Sequence, residues 1–159
     1  MLKLARTIHF DESDGNIFSR PADSGEWAIT GGFEFSNWTE GDLTGKARQA
    51  FANGWLSLES FGRATFVAVA KIEQDELDRL ADGLAAHFVS IYGAPSQEAA
   101  LQAAQAEIAF MQELCDDQDP NTLLVVTREL TDAGVKEQFR AIEPAQAEIA
   151  QVAVHGTLE

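Results

Sequence analysis

The chain reads as one α+β domain, a mostly antiparallel sheet with a helical hairpin and one further helix packed on one face. Three observations predict this. Short apolar runs bounded by turn residues fill the first third and recur after Pro120. Two consecutive segments between them carry apolar residues at helical spacing. No internal repeat, linker or low-complexity tract divides the 159 residues, so the domain is expected to span 1–159.

Leu2 to Phe10 alternates loosely and predicts a first strand, with Asp14-Gly15 as a hairpin turn and Ile17-Phe18 as the return. Pro21 and Ser24-Gly25 interrupt the chain before Trp27. Glu26 to Thr30 and Phe33-Glu34-Phe35 place apolar side chains on alternate positions, which predicts strand on both sides of a bulge or bend at Gly31-Gly32. From Asp42 to about Asn53 the period becomes helical through Leu43, Ala47, Ala50 and Phe51, with Asp42 as the expected N-cap and Gly54 as the stop. Ala64 to Ala70 is short, apolar and rich in β-branched residues, and predicts a buried strand.

Leu77, Leu80, Leu84, Phe88 and Ile91 form one helical stripe ending at Gly93. Pro95-Ser96 then opens a second helix striped by Leu101, Ala104, Ile108, Met111 and Leu114. The alanines on these helices allow close approach, so the two are expected to pair. Leu123 to Val126 predicts a strand. Val135 to Ile142 fits helix spacing and strand alternation alike, and the hairpin is favoured because Gly134 sits where a turn needs it. The tail from about 144 is expected to be flexible or to add a strand at Ile149 to Val154.

Net charge is −15, from 26 acidic and 11 basic residues. Phosphate backbones and anionic membranes are recognised through Lys and Arg, so neither nucleic acid nor a membrane is an expected partner. The single cysteine, Cys115, gives no disulfide framework. No segment approaches the ~20 apolar residues that cross a bilayer. The start has neither the signal nor the transit pattern, and a cytoplasmic location is expected.

GDLTGKARQAF, residues 41–51, is the stretch closest to a phosphate loop. Only three residues separate Gly41 from Gly45-Lys46, where four are required, and Ala47 stands where the magnesium-binding Ser or Thr belongs. It is not a nucleotide loop. Lys46 and Arg48 near a helix start, joined by Arg63, are instead candidates for orienting an anionic ligand. Asp116, Asp117 and Asp119 at a helix end face the negative pole of the macrodipole, and a weak cation or basic partner there is the alternative to a solvated terminus. Cys115 lies beside those acids and lacks an activating cation. His9, His87 and His155 have no partner at metal-ligand spacing. No metal, cofactor or catalytic residue is therefore assigned, and an enzymatic role is disfavoured.

Several stretches resemble a known family: GEWAITGGFEFSN, LTGKARQAF, Ser60-Phe61-Gly62, YGAPS, ELC and VKEQFRAI. Together they are similar to a family of small bacterial proteins of unknown function, mostly alphaproteobacterial, and the likeness covers most of the chain. Its loose association with gene neighbourhoods of formate dehydrogenase and its accessory factors implies an assembly or adaptor role. The resemblance carries no catalytic residues.

Two functions are expected. The leading one is a non-enzymatic binding or assembly module, joined to a protein partner or to itself, with Trp27, Trp38 and Trp55 as aromatic anchors. Its rival is a small-molecule pocket between the sheet and the 42–53 helix, with Lys46, Arg48 or Arg63 holding an anion.

Overall fold

The computed structural model describes residues 1–9 and 17–143. Among these residues seven strands form one sheet: β1 (Lys3–Ile8), β2 (Trp27–Ile29), β3 (Trp55–Ser57), β4 (Arg63–Ala64), β5 (Phe66–Lys71), β6 (Leu123–Thr131) and β7 (Gly134–Ile142). Their spatial order is β4-β3-β2-β1-β5-β6-β7, and every neighbouring pair is antiparallel. Among the described residues three α-helices pack with the sheet: α1 (Gly45–Asn53), α2 (Gln74–Tyr92) and α3 (Gln97–Asp116).

Side-chain alternation divides the sheet into two faces. Val67 and Val69 on β5, with Leu124 and Val126 on β6, enter the main core. Phe66, Ala68, Leu123 and Val125 enter a smaller cluster with Ile142. The helical hairpin covers the main-core face through Leu77, Leu80, Leu84 and Phe88 of α2 and Ala104, Ile108 and Met111 of α3. Small residues at Ala81, Ala85, Ala100 and Ala104, all buried, let the pair approach closely. Ser96 caps α3 by accepting a hydrogen bond from the Ala99 N–H at 3.1 Å.

The apolar run from Ala64 to Ala70 does not form one strand. It breaks at Thr65, so β4 pairs with β3 while β5 pairs with β1 and β6. In a flat sheet β4 and β5 would lie about 19 Å apart, four strand spacings. A single intervening residue reaches about 7 Å. The sheet therefore curls until its β4 edge returns to the start of β5, and this curl carries Arg63 into the interior.

Phe33-Glu34-Phe35 is not strand either, but a 3-10 turn over Gly32–Phe35. Gly31 stands at φ 70, which ends the extended path. Beyond β2, the carbonyls of Thr30 and Gly31 accept hydrogen bonds from Arg128 and Arg63 instead of from a neighbouring strand. Asp42 is not the N-cap of α1. Its carboxylate accepts from the Thr39 N–H at 2.8 Å, closing a separate 3-10 turn at Glu40–Asp42. Leu43 and Thr44 separate that turn from α1, for which Thr44 is the N-cap residue and Gly45, at φ 55, the first residue.

After Pro120 the chain forms a long hairpin. β6 and β7 pair over their full length around Asp132-Ala133, with Thr131 opposite Gly134. Val135 to Ile142 is thus strand. The expected turn at Asp14-Gly15 and the tail from 144 lie outside the described residues. No helix among the described residues is long and apolar enough to cross a membrane.

Candidate functional site

Two arginines organise the region where α1, the β2–α1 segment and the curled sheet meet. Arg128 has the same strand parity as Leu124 and Val126, so β6 delivers its guanidinium to the core face, where the residue is 6% exposed. Its Nη1 donates to the carbonyls of Phe51 at 3.0 Å and Gly54 at 2.8 Å, and its Nε donates to Glu137 at 2.7 Å. Helix α1 ends on these bonds, because its last carbonyls have no partner within the helix. The positive charge also opposes the negative end of the α1 macrodipole.

Arg63 reaches the same place from β4. It donates to the carbonyls of Gly54 at 3.1 Å and Gly31 at 3.2 Å, and pairs with the Glu34 carboxylate. The guanidinium carbons of Arg63 and Arg128 lie 4.7 and 5.1 Å from the centroid of the Phe35 ring. Burial lowers the pKa of both, that of Arg128 to about 10 with the Arg63 charge adding to the effect. Both keep their charge at neutral pH, compensated by Glu34, Glu137 and the ring of carbonyls.

Outside this pair a pocket of about 300 Å³ opens between α1, the 3-10 turn and the C-terminal end of α2. Arg63 and Glu34 form part of its wall. Lys46, Ala47 and Ala50 of α1 line another side, and Arg20 a third. The rest is largely aromatic: Phe18, Phe35, Trp38, Phe61, His87 and Tyr92. His87 stacks on Phe61 at 3.9 Å with the rings 5° from parallel. Burial holds the His87 pKa below its ordinary value, so the imidazole is neutral at pH 7.

The Tyr92 hydroxyl donates to Glu34 at 3.3 Å. Burial, then the Glu34 charge, pushes its pKa up to about 12. Tyr92 is the only tyrosine, so an ultraviolet titration reads it alone. The midpoint is expected near 12 in the folded protein and about 10 in urea. Between these values the unfolded state loses a proton that the folded state keeps, so stability falls as pH rises through that window. A folded midpoint of about 10 would show that Tyr92 is neither buried nor held beside Glu34 in solution.

The candidate residues from the sequence divide. Lys46, Arg63 and Trp38 meet in the pocket, whereas Arg48 is exposed and is not part of its wall. Trp27 is 5% exposed beneath Arg6, whose guanidinium carbon is 4.0 Å from its centroid. Trp55 is wholly buried against Phe139. Neither offers a surface to a partner in this arrangement.

At the end of α3, Lys3 Nζ donates to the carbonyls of Asp116 and Gln118, so a cation of the chain itself meets this helix terminus. No group of three or more His, Cys, Asp or Glu among the described residues could hold a metal ion. Cys115 is buried, and burial followed by the Asp116 charge raises its pKa to about 12. It is expected to resist a disulfide reagent such as DTNB at pH 8 until the protein is unfolded; rapid labelling of the native protein would contradict its burial.

Glu34, Arg20, His87 and Tyr92 were not legible as site residues, since they lie far from Lys46 and Arg63 along the chain. Arg128 did carry a signal, as the one cation at an inward-facing position in LLVVTREL.

The profile of a family of unknown function, DUF6505, matches residues 1–159. The chain belongs to DUF6505. No curated protein and no solved structure matches it. The pocket is therefore described for this DUF6505 chain from its own geometry, and no relative supplies a ligand or a reaction.

Proposed function

We propose that this DUF6505 protein binds a small organic anion in the pocket beside α1. The observation that carries the reading is convergence. Three of the 11 basic residues, Arg20, Lys46 and Arg63, line one pocket of a chain whose net charge is −15. Its remaining wall is mainly apolar, the combination of greasy lining and few polar groups that small-molecule sites use. At about 300 Å³ it suits a compact ligand rather than a dinucleotide.

The assembly reading has weaker support, because Trp27 and Trp55 are core residues and Trp38 faces the pocket. Trp38 is half-buried and stacks on Phe51 with centroids 6.4 Å apart, so it can report occupancy. Titration with benzoate, acetate and inorganic phosphate is expected to change tryptophan emission for at least one of them. Lys46→Ala should weaken that binding by about fivefold, the equivalent of the ~1 kcal/mol of a screened, exposed charge pair. A flat emission signal together with no calorimetric heat for all three anions would remove the proposal.

A further inference from the structure

We infer that the ligand of this pocket is an aromatic carboxylate, and that it binds by taking the place of Glu34 on Arg63. The inference rests on the anion-binding reading of the pocket.

The seat for a carboxylate is already built, and a side chain of the protein occupies it. One oxygen of Glu34 meets Arg63 Nη2, and the other accepts from the Tyr92 hydroxyl at 3.3 Å. A guanidinium and a phenol together hold one carboxylate, the charge-assisted arrangement by which proteins recognise that group. The partners of Arg63 are unequal. Gly31 and Gly54 offer main-chain carbonyls fixed by the fold, whereas Glu34 is a side chain on the pocket wall. The Glu34 side chain is 38% exposed against 6% for Arg63. Glu34 is thus the one partner that can swing into water, while Arg63 stays buried and needs a negative charge in its place. An incoming carboxylate supplies that charge without disturbing the carbonyl bonds.

The surrounding rings set the rest of the ligand. Trp38 and the stacked Phe61–His87 pair line the same cavity, and flat aromatic surfaces favour a planar apolar body through stacking. A neutral His87 adds ring surface there without adding a competing charge. Acetate would fill the seat but leave the rings uncovered. Inorganic phosphate would match neither the flat shape nor the apolar wall.

The test compares calorimetric affinities of the full chain and its Glu34→Gln variant for benzoate, acetate and inorganic phosphate. Benzoate should bind best to the wild type. Glu34→Gln should bind it about tenfold tighter, because the competing interaction loses its charge. Equal or weaker benzoate binding by a folded Glu34→Gln variant would overturn the displacement while leaving the pocket reading intact. Tighter binding of acetate or phosphate than of benzoate would overturn the aromatic class, again leaving the pocket. Absence of binding by all three anions to both proteins would remove both readings.

A crystal of the wild type soaked in benzoate keeps the test decisive if Glu34→Gln does not fold. Benzoate on Arg63 and Tyr92, with Glu34 turned outward, is the expected arrangement. Benzoate held on Lys46 with the Glu34–Arg63 pair unbroken, or an empty pocket, would refute the displacement.

Discussion

Arg128→Met is expected to lose on the order of 3–5 kcal/mol of stability, the usual cost of removing one partner from a buried charged network. Its guanidinium holds three separate pieces of the fold. It bonds the carbonyls of Phe51 in the last turn of α1 and of Gly54 just after it, the carbonyl of Thr30 after β2, and the carboxylate of Glu137 on β7. Methionine fills much of the volume but removes the Arg128 donors from the Phe51 and Thr30 carbonyls, leaves Gly54 with Arg63 alone, and takes the counter-charge from Glu137. Domains of this size are stable by only about 5–15 kcal/mol, so urea denaturation should show a large fall in midpoint. Arg128→Lys should recover less than half of the loss, since a single ammonium cannot reach acceptors spread around a planar fork. A loss under about 1 kcal/mol for Arg128→Met would mean that water replaces the network readily, and that Arg128 does not organise the site.

Gly31→Ala is expected to cost about 2–4 kcal/mol, the sum of a left-handed backbone penalty and an overpacked contact. The residue stands at φ 70, and an added methyl would overlap the Leu56 side chain and approach Arg63 Nη1 to 2.9 Å. Its carbonyl also accepts from Arg63, so strain here reaches the pocket wall directly. Gly45→Ala provides the control. Gly45 has a similar φ of 55, but a methyl there meets nothing within 4 Å, so only the backbone term of about 1 kcal/mol remains. Equal losses in the two variants would show that crowding against Leu56 and Arg63 is relieved at no cost, contrary to the packing described above. Thermal melts of both proteins in one buffer make the comparison.

Both sites show how unevenly the sequence exposes the fold. The α2–α3 hairpin was readable because its determinants are local: stripes three and four residues apart, with Gly93 closing α2 and Ser96 opening α3. The β6–β7 hairpin was readable for a similar reason, since Gly134 marks the turn between two runs of alternating side chains. Phe33-Glu34-Phe35 alternates like a strand yet turns, because Gly31 bends the chain and two distant arginines take the carbonyls a neighbouring strand would need. The run from Ala64 to Ala70 looks like one strand yet serves two edges, because the curl of the whole sheet decides where each half pairs.

The candidate site follows the same division. Lys46 and Arg63 could be picked out as cations in a chain with few of them, but their meeting with Arg20, Glu34 and Tyr92 could not, since the pocket is assembled from segments between Phe18 and Tyr92. By itself the sequence determined the α+β class, the helical hairpin and the acidic balance that makes a cationic pocket noteworthy, and it favoured the β6–β7 hairpin without excluding a helix, because periodicity, turn residues and charge are properties of neighbours along the chain. Only the tertiary structure decided that Trp27 and Trp55 are core, that Arg48 stays outside, and that Glu34 sits between Arg63 and Tyr92. Those outcomes depend on the curl of the sheet and on buried charges finding partners across it, and neither is encoded within any single stretch of residues.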